Sequence, residues 1–377
     1  MRGPAVHPII IAAGGTGGHL FPAEALAAEL LRRGERIALM TDARSAAYDS
    51  AAFANAERFV LSGAGLSGRG FRRAVRGAMQ LMAGTMQARR HLAMLMPSAV
   101  VGFGGYASFP PLAAARLTGA ARRPAIILHE QNAVLGRANR LMARAADLLA
   151  LSFEDTANVP AGTRSAVVGN PVRPALAALA AQPYPTPPEG GALRLLVTGG
   201  SQGARIFADV VPAAVAALPE AIRARLLVTQ QCRAEDLART ETAYRDAGVV
   251  AHLAPFFPDI AGRLGTAHLV VARAGASTVA ELECAGRPSV LVPLPSAIDD
   301  HQNANARALA EADAAWVYPQ PAFTPAALTE RLTALFSVPE RLASAAAAAS
   351  ALARPQAARD LADQVLALAR RATMGAA

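Results

Sequence analysis

Lysine is absent from all 377 residues, so every basic side chain other than histidine is an arginine. That absence excludes the P-loop, whose Gly-Lys-Ser/Thr ending uses a lysine to reach the phosphates. Cysteine is nearly absent too: Cys232 and Cys284 are too few for a disulfide framework or a four-thiolate zinc site. Two thiols suit a reducing compartment. No Asp-x-Asp pair occurs, so there is no obvious carboxylate clamp for a metal-bound diphosphate. No apolar run reaches the ~20 residues that span a bilayer. The opening MRGPAVHPIIIAAGG superficially resembles a signal peptide, but its apolar run is short, broken by Pro8, and leads straight into a glycine turn. Aromatics make up 5% of the chain and are not interleaved with the arginines, which disfavours a base-stacking surface for nucleic acid. A cytoplasmic protein is expected.

What is present describes a globular chain. Apolar residues are 53% and charged residues 17%, enough to build cores in two domains of ordinary size. The net charge of +9 could serve an anionic phospholipid, a nucleic acid or a phosphorylated substrate.

The organising stretch is Ile9–Leu31. An apolar run, Ile9–Ala13, meets glycines 14, 15, 17 and 18, and a helical pattern with Ala25, Leu26, Leu30 and Leu31 follows. Glycines allow the sharp bend and the close approach of a ligand, and the helix start offers unpaired N–H groups to an anion or a polar sugar. Leu193–Thr198, Gly199–Ala204 and Ile206–Leu218 repeat the device nearly half the chain later. Two doubly wound domains are the simplest reading. Gly169–Arg173, followed by the Pro-rich segment Gln182–Pro188, reads as the boundary, where a hinge would set two crevices facing each other.

Arg36–Thr41 reads as the second strand and ends near Asp42, where a nicotinamide-binding domain keeps its ribose-binding acid. The glycine fingerprint fails, however: in the frame starting at Gly14, His19 stands where the last glycine belongs. Further strands are expected at Ala99–Gly102, Ala125–Leu128, Asp147–Leu151, Ala166–Val168, Arg225–Val228, Val249–His252, Leu269–Ala272 and Pro288–Pro293. In an open parallel sheet the residues beyond the strand ends line the crevice, so His19, Tyr106 and His129–Asn132 should converge. No second histidine stands at metal-ligand spacing from His129, so a metal site is rejected and the role of His129 stays open. In the stretch 63–93, Leu66, Phe71, Val75, Met79, Leu81, Met82 and Met86 lie among Arg69, Arg72, Arg73, Arg76, Arg89 and Arg90. That mixture suits an interfacial contact with anionic membrane, or a core helix with a solvated basic face.

In the second half, Gly275 permits a turn after Leu269–Ala272, and Ser277 and Thr278 can cap a helix and offer hydroxyls to phosphate. Glu281, one turn inside, could hold a ribose or pair with the helix dipole. With no carboxylate clamp, a leaving diphosphate would be met by a helix start, the amides after Gly200, Ser201 and Arg173. The residues point to metal-independent transfer from a nucleotide sugar.

Seven blocks then carry a resemblance: GGTGGH at 14–19, GGYAS at 104–108, HEQN at 129–132 with Gly136 and Asn139, GNPVR at 169–173, GGSQGA at 199–204, ARAGASTVAE at 272–281 and DHQNANA at 300–306. Together, in this order, they resemble the MurG family, glycosyltransferases of family 28. The resemblance implies an α/β chain of GT-B fold, two facing Rossmann-like doubly wound parallel-sheet domains with an inter-domain cleft. It places the acceptor and membrane side in residues 1–170, UDP-GlcNAc binding in 171–345, and helices that pack back on the first domain in 346–377. It implies inverting transfer of GlcNAc from UDP-GlcNAc to the C4 hydroxyl of the MurNAc in lipid I, with no cofactor and no metal, at the cytoplasmic face of the bacterial inner membrane. Cell-wall synthesis proteins become possible partners. Carried over by position, Thr16, Gly17, Gly18 and Asn132 touch the donor from the first domain. Arg173 and Ser201 would hold the diphosphate, the Phe257 backbone the uracil, Ala276, Ser277 and Thr278 the phosphates, Glu281 the ribose and Gln302 the GlcNAc hydroxyls, with Val279 and Ala280 also in the UDP-GlcNAc site. Gly104, Gly105 and Tyr106 face the acceptor. His19 is the candidate general base, or else holds the glycine turn, and Glu130 is a second candidate base. A UDP-GlcNAc 2-epimerase and a non-catalytic nucleotide-sugar sensor are the rival functions.

Overall fold

The computed structural model describes residues 7–15, 17–46, 50–62, 71–200 and 203–374; for 71–74, 121, 373 and 374 only the backbone is described. The chain divides into two units, residues 1–173 with 356–377 and residues 174–355.

The first unit runs β1 (Ile9–Ala12), α1 (Gly17–Arg32), β2 (Ile37–Asp42), β3 (Glu57–Leu61), α2 (Phe71–Leu95), β4 (Ala99–Gly102), α3 (Gly105–Arg116), β5 (Ala125–Glu130), α4 (Arg137–Met142), β6 (Leu148–Leu151) and β7 (Ser165–Val167). Its strands lie in the order β3-β2-β1-β4-β5-β6-β7, every pairing parallel. The four residues of β1 are buried on both faces, as a parallel sheet covered on two sides requires. Chain order reverses between β1 and β4, so the loops after these two strands flank the switch point where such sheets bind ligands.

The second unit runs α5 (Pro174–Ala177), β8 (Leu193–Thr198), α6 (Arg205–Ala216), α7 (Glu220–Arg223), β9 (Leu226–Gln231), α8 (Leu237–Asp246), β10 (Val250–Ala254), α9 (Ile260–Thr266), β11 (Leu269–Ala272), α10 (Ala276–Ala285), β12 (Ser289–Leu291), α11 (His301–Glu311), β13 (Ala315–Val317), α12 (Pro325–Phe336) and α13 (Pro339–Leu352). The order β10-β9-β8-β11-β12-β13 repeats the same winding, with its switch point between β8 and β11.

The segment expected to pack back as 346–377 is divided. Helix α13 stays with the second unit, while α14 (Ala357–Met374) belongs to the first. Leu361, Ala362, Val365 and Leu368 of α14 are buried in one cluster with Ile9, Ile11, Leu26 and Leu30. At the rim of that contact Arg33 bridges Glu29 at 2.7 Å and Asp363 at 2.5 Å. Strands β3 and β13 were not anticipated, because an edge strand with exposed residues (Glu57, Arg58) and a three-residue strand (Ala315–Val317) carry little apolar signal.

Replacing Leu361 by alanine deletes a fully buried side chain from that core, at an expected cost of about 2–5 kcal/mol. Urea unfolding followed by circular dichroism should show the midpoint fall; an unchanged midpoint would mean that α14 does not hold the first unit together.

Candidate active site

Helix α1 begins at Gly17, which puts His19 in its first turn, at the switch point of the first sheet. The imidazole lies against the Gly104–Gly105 turn. A Cβ on Gly105 would stand 3.3 Å from His19 Nε2, and one on Gly104 3.4 Å from Cε1. Both glycines also have positive φ, 82° and 68°, which side chains rarely adopt. Tyr106, half-buried, follows directly in α3.

His129 and Glu130 are not in a loop, as the sequence suggested. They close β5, paired with Ala150 and Leu151 of β6. Partners distant in sequence make these polar strand residues tolerable. His129 is fully buried, its Nε2 3.0 Å from the Gly169 carbonyl and its Nδ1 3.0 Å from Gln131 Nε2. Burial drives its pKa down to about 4 against the pull of the Gly169 hydrogen bond, so it is neutral at pH 7. Gln131 Nε2 also donates to the carbonyls of Phe103 and His129, and Gln131 Oε1 lies 3.1 Å from His19 Nδ1. His19 and the HEQN block are therefore brought together, through Gln131.

Glu130 has a different task from the base role considered for it. Its Oε1 accepts from the backbone and side-chain N–H groups of Asn132, and its Oε2 from Gly136 N and Asn139 Nδ2. Four donors on a buried carboxylate make it a clasp for the loop into α4. The side-chain amide of Asn132, expected at the donor, is engaged in that clasp. Asp42 is likewise spent locally: it accepts from Arg44 and from Ser45 N, while Ser45 Oγ accepts from Gly15 N at 2.7 Å. Arg173, at the end of the GNPVR loop, places its guanidinium 4.7 Å from the ring centre of Phe21, one turn into α1. A cation is thus held beside the helix that starts at Gly17 and Gly18. Thr16 lies outside the described residues.

In the second unit the turn after β8 is built around Gly199, where a Cβ would stand 2.3 Å from Ala204 N. Gln231, at the end of β9, fixes this turn. Its Oε1 accepts from Thr198 Oγ1 and Gly199 N, and its Nε2 donates to the carbonyls of Gly200 and Pro255. Ser201 lies outside the described residues. Across the switch point, α10 starts after Gly275, and by helix geometry the amides of Ala276, Ser277 and Thr278 have no intrahelical acceptor. Ser277 Oγ is buried with no hydrogen-bond partner among the described residues. Val279 and Ala280 pack inward, and Val279 N–H donates to the Gly275 carbonyl, so neither side chain is presented to a ligand. Glu281 is half-buried on the next turn. Gln302 Oε1 accepts from Leu294 N, bracing the loop before α11, where Asp299 and Asp300 both hold left-handed backbone. The Phe257 ring is buried, with the Arg263 guanidinium 4.1 Å from its centre. Gln131 and Gln231 are the residues that sequence reasoning passed over as organisers. Gln131 was marked only as a member of the HEQN block, and Gln231 only as a polar side chain at the end of an apolar strand.

The stretch expected at a membrane is α2. Val75, Met79, Met82 and Met86 fall at helical spacing and are 42%, 62%, 66% and 53% exposed, with Arg76, Arg89 and Arg90 also exposed. Leu66 and Arg69 lie outside the described residues, as do the side chains of Phe71, Arg72 and Arg73. Among the described residues no helix is long and apolar enough to cross a membrane, and no group of three or more His, Cys, Asp or Glu is placed to hold a metal.

Sequence models of the glycosyltransferase family 28 N-terminal and C-terminal domains match residues 9–150 and 194–365. The chain belongs to glycosyltransferase family 28. A relative from Granulibacter bethesdensis, named UDP-N-acetylglucosamine–N-acetylmuramyl-(pentapeptide) pyrophosphoryl-undecaprenol N-acetylglucosamine transferase, is 57% identical over 97% of this chain and 94% of that protein. The protein of the same name from Rhodospirillum centenum is 55% identical over 95% of this chain and 94% of its own length. Among solved structures, Acinetobacter baumannii MurG superposes with a TM-score of 0.76 at 30% identity, over 95% of this chain and 99% of that one. Two all-parallel α/β units with this match make the family 28 chain a GT-B protein.

The buried His129 carries a pH signature. In the unfolded chain its imidazole protonates as pH falls through 6.5, whereas in the fold it stays neutral down to about 4. Between those values the unfolded state binds more protons. The contribution is therefore complete above pH 6.5 and lost as pH falls toward 4, about 3 kcal/mol in all. Denaturant unfolding between pH 7 and pH 4.5 should show a shallower loss of stability in His129→Gln than in wild type; parallel slopes would put the imidazole in contact with solvent.

Proposed function

We infer that this family 28 protein transfers N-acetylglucosamine from UDP-N-acetylglucosamine to the N-acetylmuramyl unit of pyrophosphoryl-undecaprenol-linked pentapeptide, converting lipid I to lipid II and releasing UDP. The observation that carries this reading is near-full-length identity above half to relatives named for that reaction. The transfer is inverting. The C4 hydroxyl oxygen attacks the anomeric carbon as the bond to the diphosphate breaks, and that electron pair leaves on UDP. His19 takes the hydroxyl proton. Two features favour it over Glu130: it stands in the first turn at a switch point, while both oxygens of Glu130 are occupied by loop donors.

In the second unit the unpaired amides of α10, with Ser277 and Thr278, suit the phosphates, and Glu281 suits the ribose. The Phe257 backbone takes the uracil and Gln302 the sugar hydroxyls. Arg173, held beside the start of α1, supplies positive charge for the leaving diphosphate. The reaction then runs without a divalent metal, in keeping with a sequence that lacks Asp-x-Asp. An epimerase would leave the exposed apolar and basic face of α2 without a task, and a sensor would have no use for the tethered His19. That face instead holds the protein at the cytoplasmic surface of an anionic membrane, where the lipid acceptor lies, with methionines entering the acyl boundary and arginines meeting headgroups.

Purified protein incubated with radiolabelled UDP-GlcNAc, a lipid I analogue and EDTA should move label into the lipid fraction. UDP release without labelled lipid would favour epimerase-like or hydrolytic chemistry, and tight binding without turnover a sensor. His19→Ala should lower kcat by roughly 10²–10⁴-fold while the circular dichroism spectrum is unchanged; near-normal turnover removes His19 from the reaction.

Sedimentation with phosphatidylglycerol vesicles tests the surface separately. Met79→Asp with Met82→Asp should cut binding at least tenfold, since each methionine buried is worth about 1.5–3 kcal/mol. Equal binding would place the membrane contact elsewhere.

A further inference from the structure

The tether on His19 has a direction that can be read from its two ends. At the inner end the Gly169 carbonyl can only accept, so His129 Nε2, 3.0 Å away, carries the proton. His129 is neutral, which leaves its Nδ1 as an acceptor facing Gln131 Nε2 at 3.0 Å. The orientation of the Gln131 amide is fixed independently. Its nitrogen lies 3.0 Å from the Phe103 carbonyl and 3.2 Å from the His129 carbonyl, two groups that a flipped oxygen would repel. Gln131 is 1% exposed, so water does not compete for these positions. Its oxygen therefore faces His19 Nδ1 at 3.1 Å, and an amide oxygen accepts only. The proton of neutral His19 must reside on Nδ1, and the lone pair must reside on Nε2, the nitrogen lying against Gly105 in the turn at the start of α3.

We propose that Gln131 is a positioning residue that fixes His19 in the Nδ1–H tautomer, so that Nε2 is the atom free to take the acceptor's proton. This rests on the reading of His19 as the base. An untethered imidazole favours the opposite, Nε2–H form, which presents a donor where the reaction needs an acceptor. The glutamine serves both states of the base. After Nε2 takes the proton, Nδ1–H still points at the same oxygen, and no group in the tether has to turn. An amide does this without adding charge. A carboxylate at the same place would meet the Phe103 carbonyl, the His129 carbonyl and His129 Nδ1 with no proton to give them.

The test is long-range ¹H–¹⁵N correlation on full-length protein with ¹⁵N-histidine, His19→Ala identifying the His19 signals. At a pH where His19 is neutral, wild type should show Nδ1–H as the dominant form; a dominant Nε2–H form overturns the proposal. Gln131→Met, which keeps length and loses both polar atoms, should lose that fixed tautomer. Its kcat should fall at least tenfold while KM for UDP-GlcNAc stays within about twofold, since no donor contact is removed. Persistence of the Nδ1–H form in Gln131→Met overturns the assignment of Gln131. Loss of that form with kcat unchanged overturns its catalytic half and, with His19→Ala also active, traces the failure to the base reading.

Discussion

Buried amide and carbonyl groups must be paired, and leaving one unpaired costs roughly 1–3 kcal/mol. At the carboxyl ends of these parallel strands that rule decides the architecture. The loops there are rich in glycine, so they bring few side chains with which to satisfy one another. Both units answer with one buried glutamine at the end of a neighbouring strand. Gln231 grips Gly199, Gly200 and Pro255, and Gln131 grips Phe103, His129 and His19. A primary amide suits the task because it donates and accepts a few ångströms apart and carries no charge to desolvate. The glycine turns stay open to a ligand because the residues that hold them lie behind them.

The same constraint explains the division of labour among the charged groups. Glu130 is buried and ionisable, yet its four donors hold a loop in place. Arg273 is buried as well, donating to the carbonyls of Val292 and Pro293 and to Gln320. Burial lowers its pKa, but those acceptors sustain a cation beneath the turn that opens α10. The groups assigned to chemistry are the less enclosed ones: His19 in a first helical turn, Arg173 over an aromatic face, Glu281 on the flank of α10.

Much of this was legible in the sequence. Strands β1, β4 and β11 announce themselves as short apolar runs with a glycine close behind, because all their residues are buried beside a switch point. The methionine stripe of α2 was legible because helical spacing needs no tertiary information. The glutamine tethers were not, since Gln131 meets Phe103 and His19 across 28 and 112 positions. The inward packing of Val279 and Ala280 was hidden for the same reason: the block they belong to does not say which face of α10 meets the core. Letter patterns can also mislead. Serine hydrolysis was set aside for want of a G-x-S-x-G elbow, yet Gly199-Gly200-Ser201-Gln202-Gly203 carries that spacing.

The return of α14 to the first unit gives synthesis on the ribosome an unusual order. The second unit, residues 174–355, is complete in itself, whereas the first lacks part of its core until residues 357–374 emerge. At 5–20 residues per second the intervening chain takes roughly 10–40 s to make. Throughout that interval the faces of β1 and α1 that receive Leu361 and Val365 stand uncovered. The half of the molecule that is made first is thus finished last, and the nascent chain depends longest on whatever shields an unfinished apolar face in the cell.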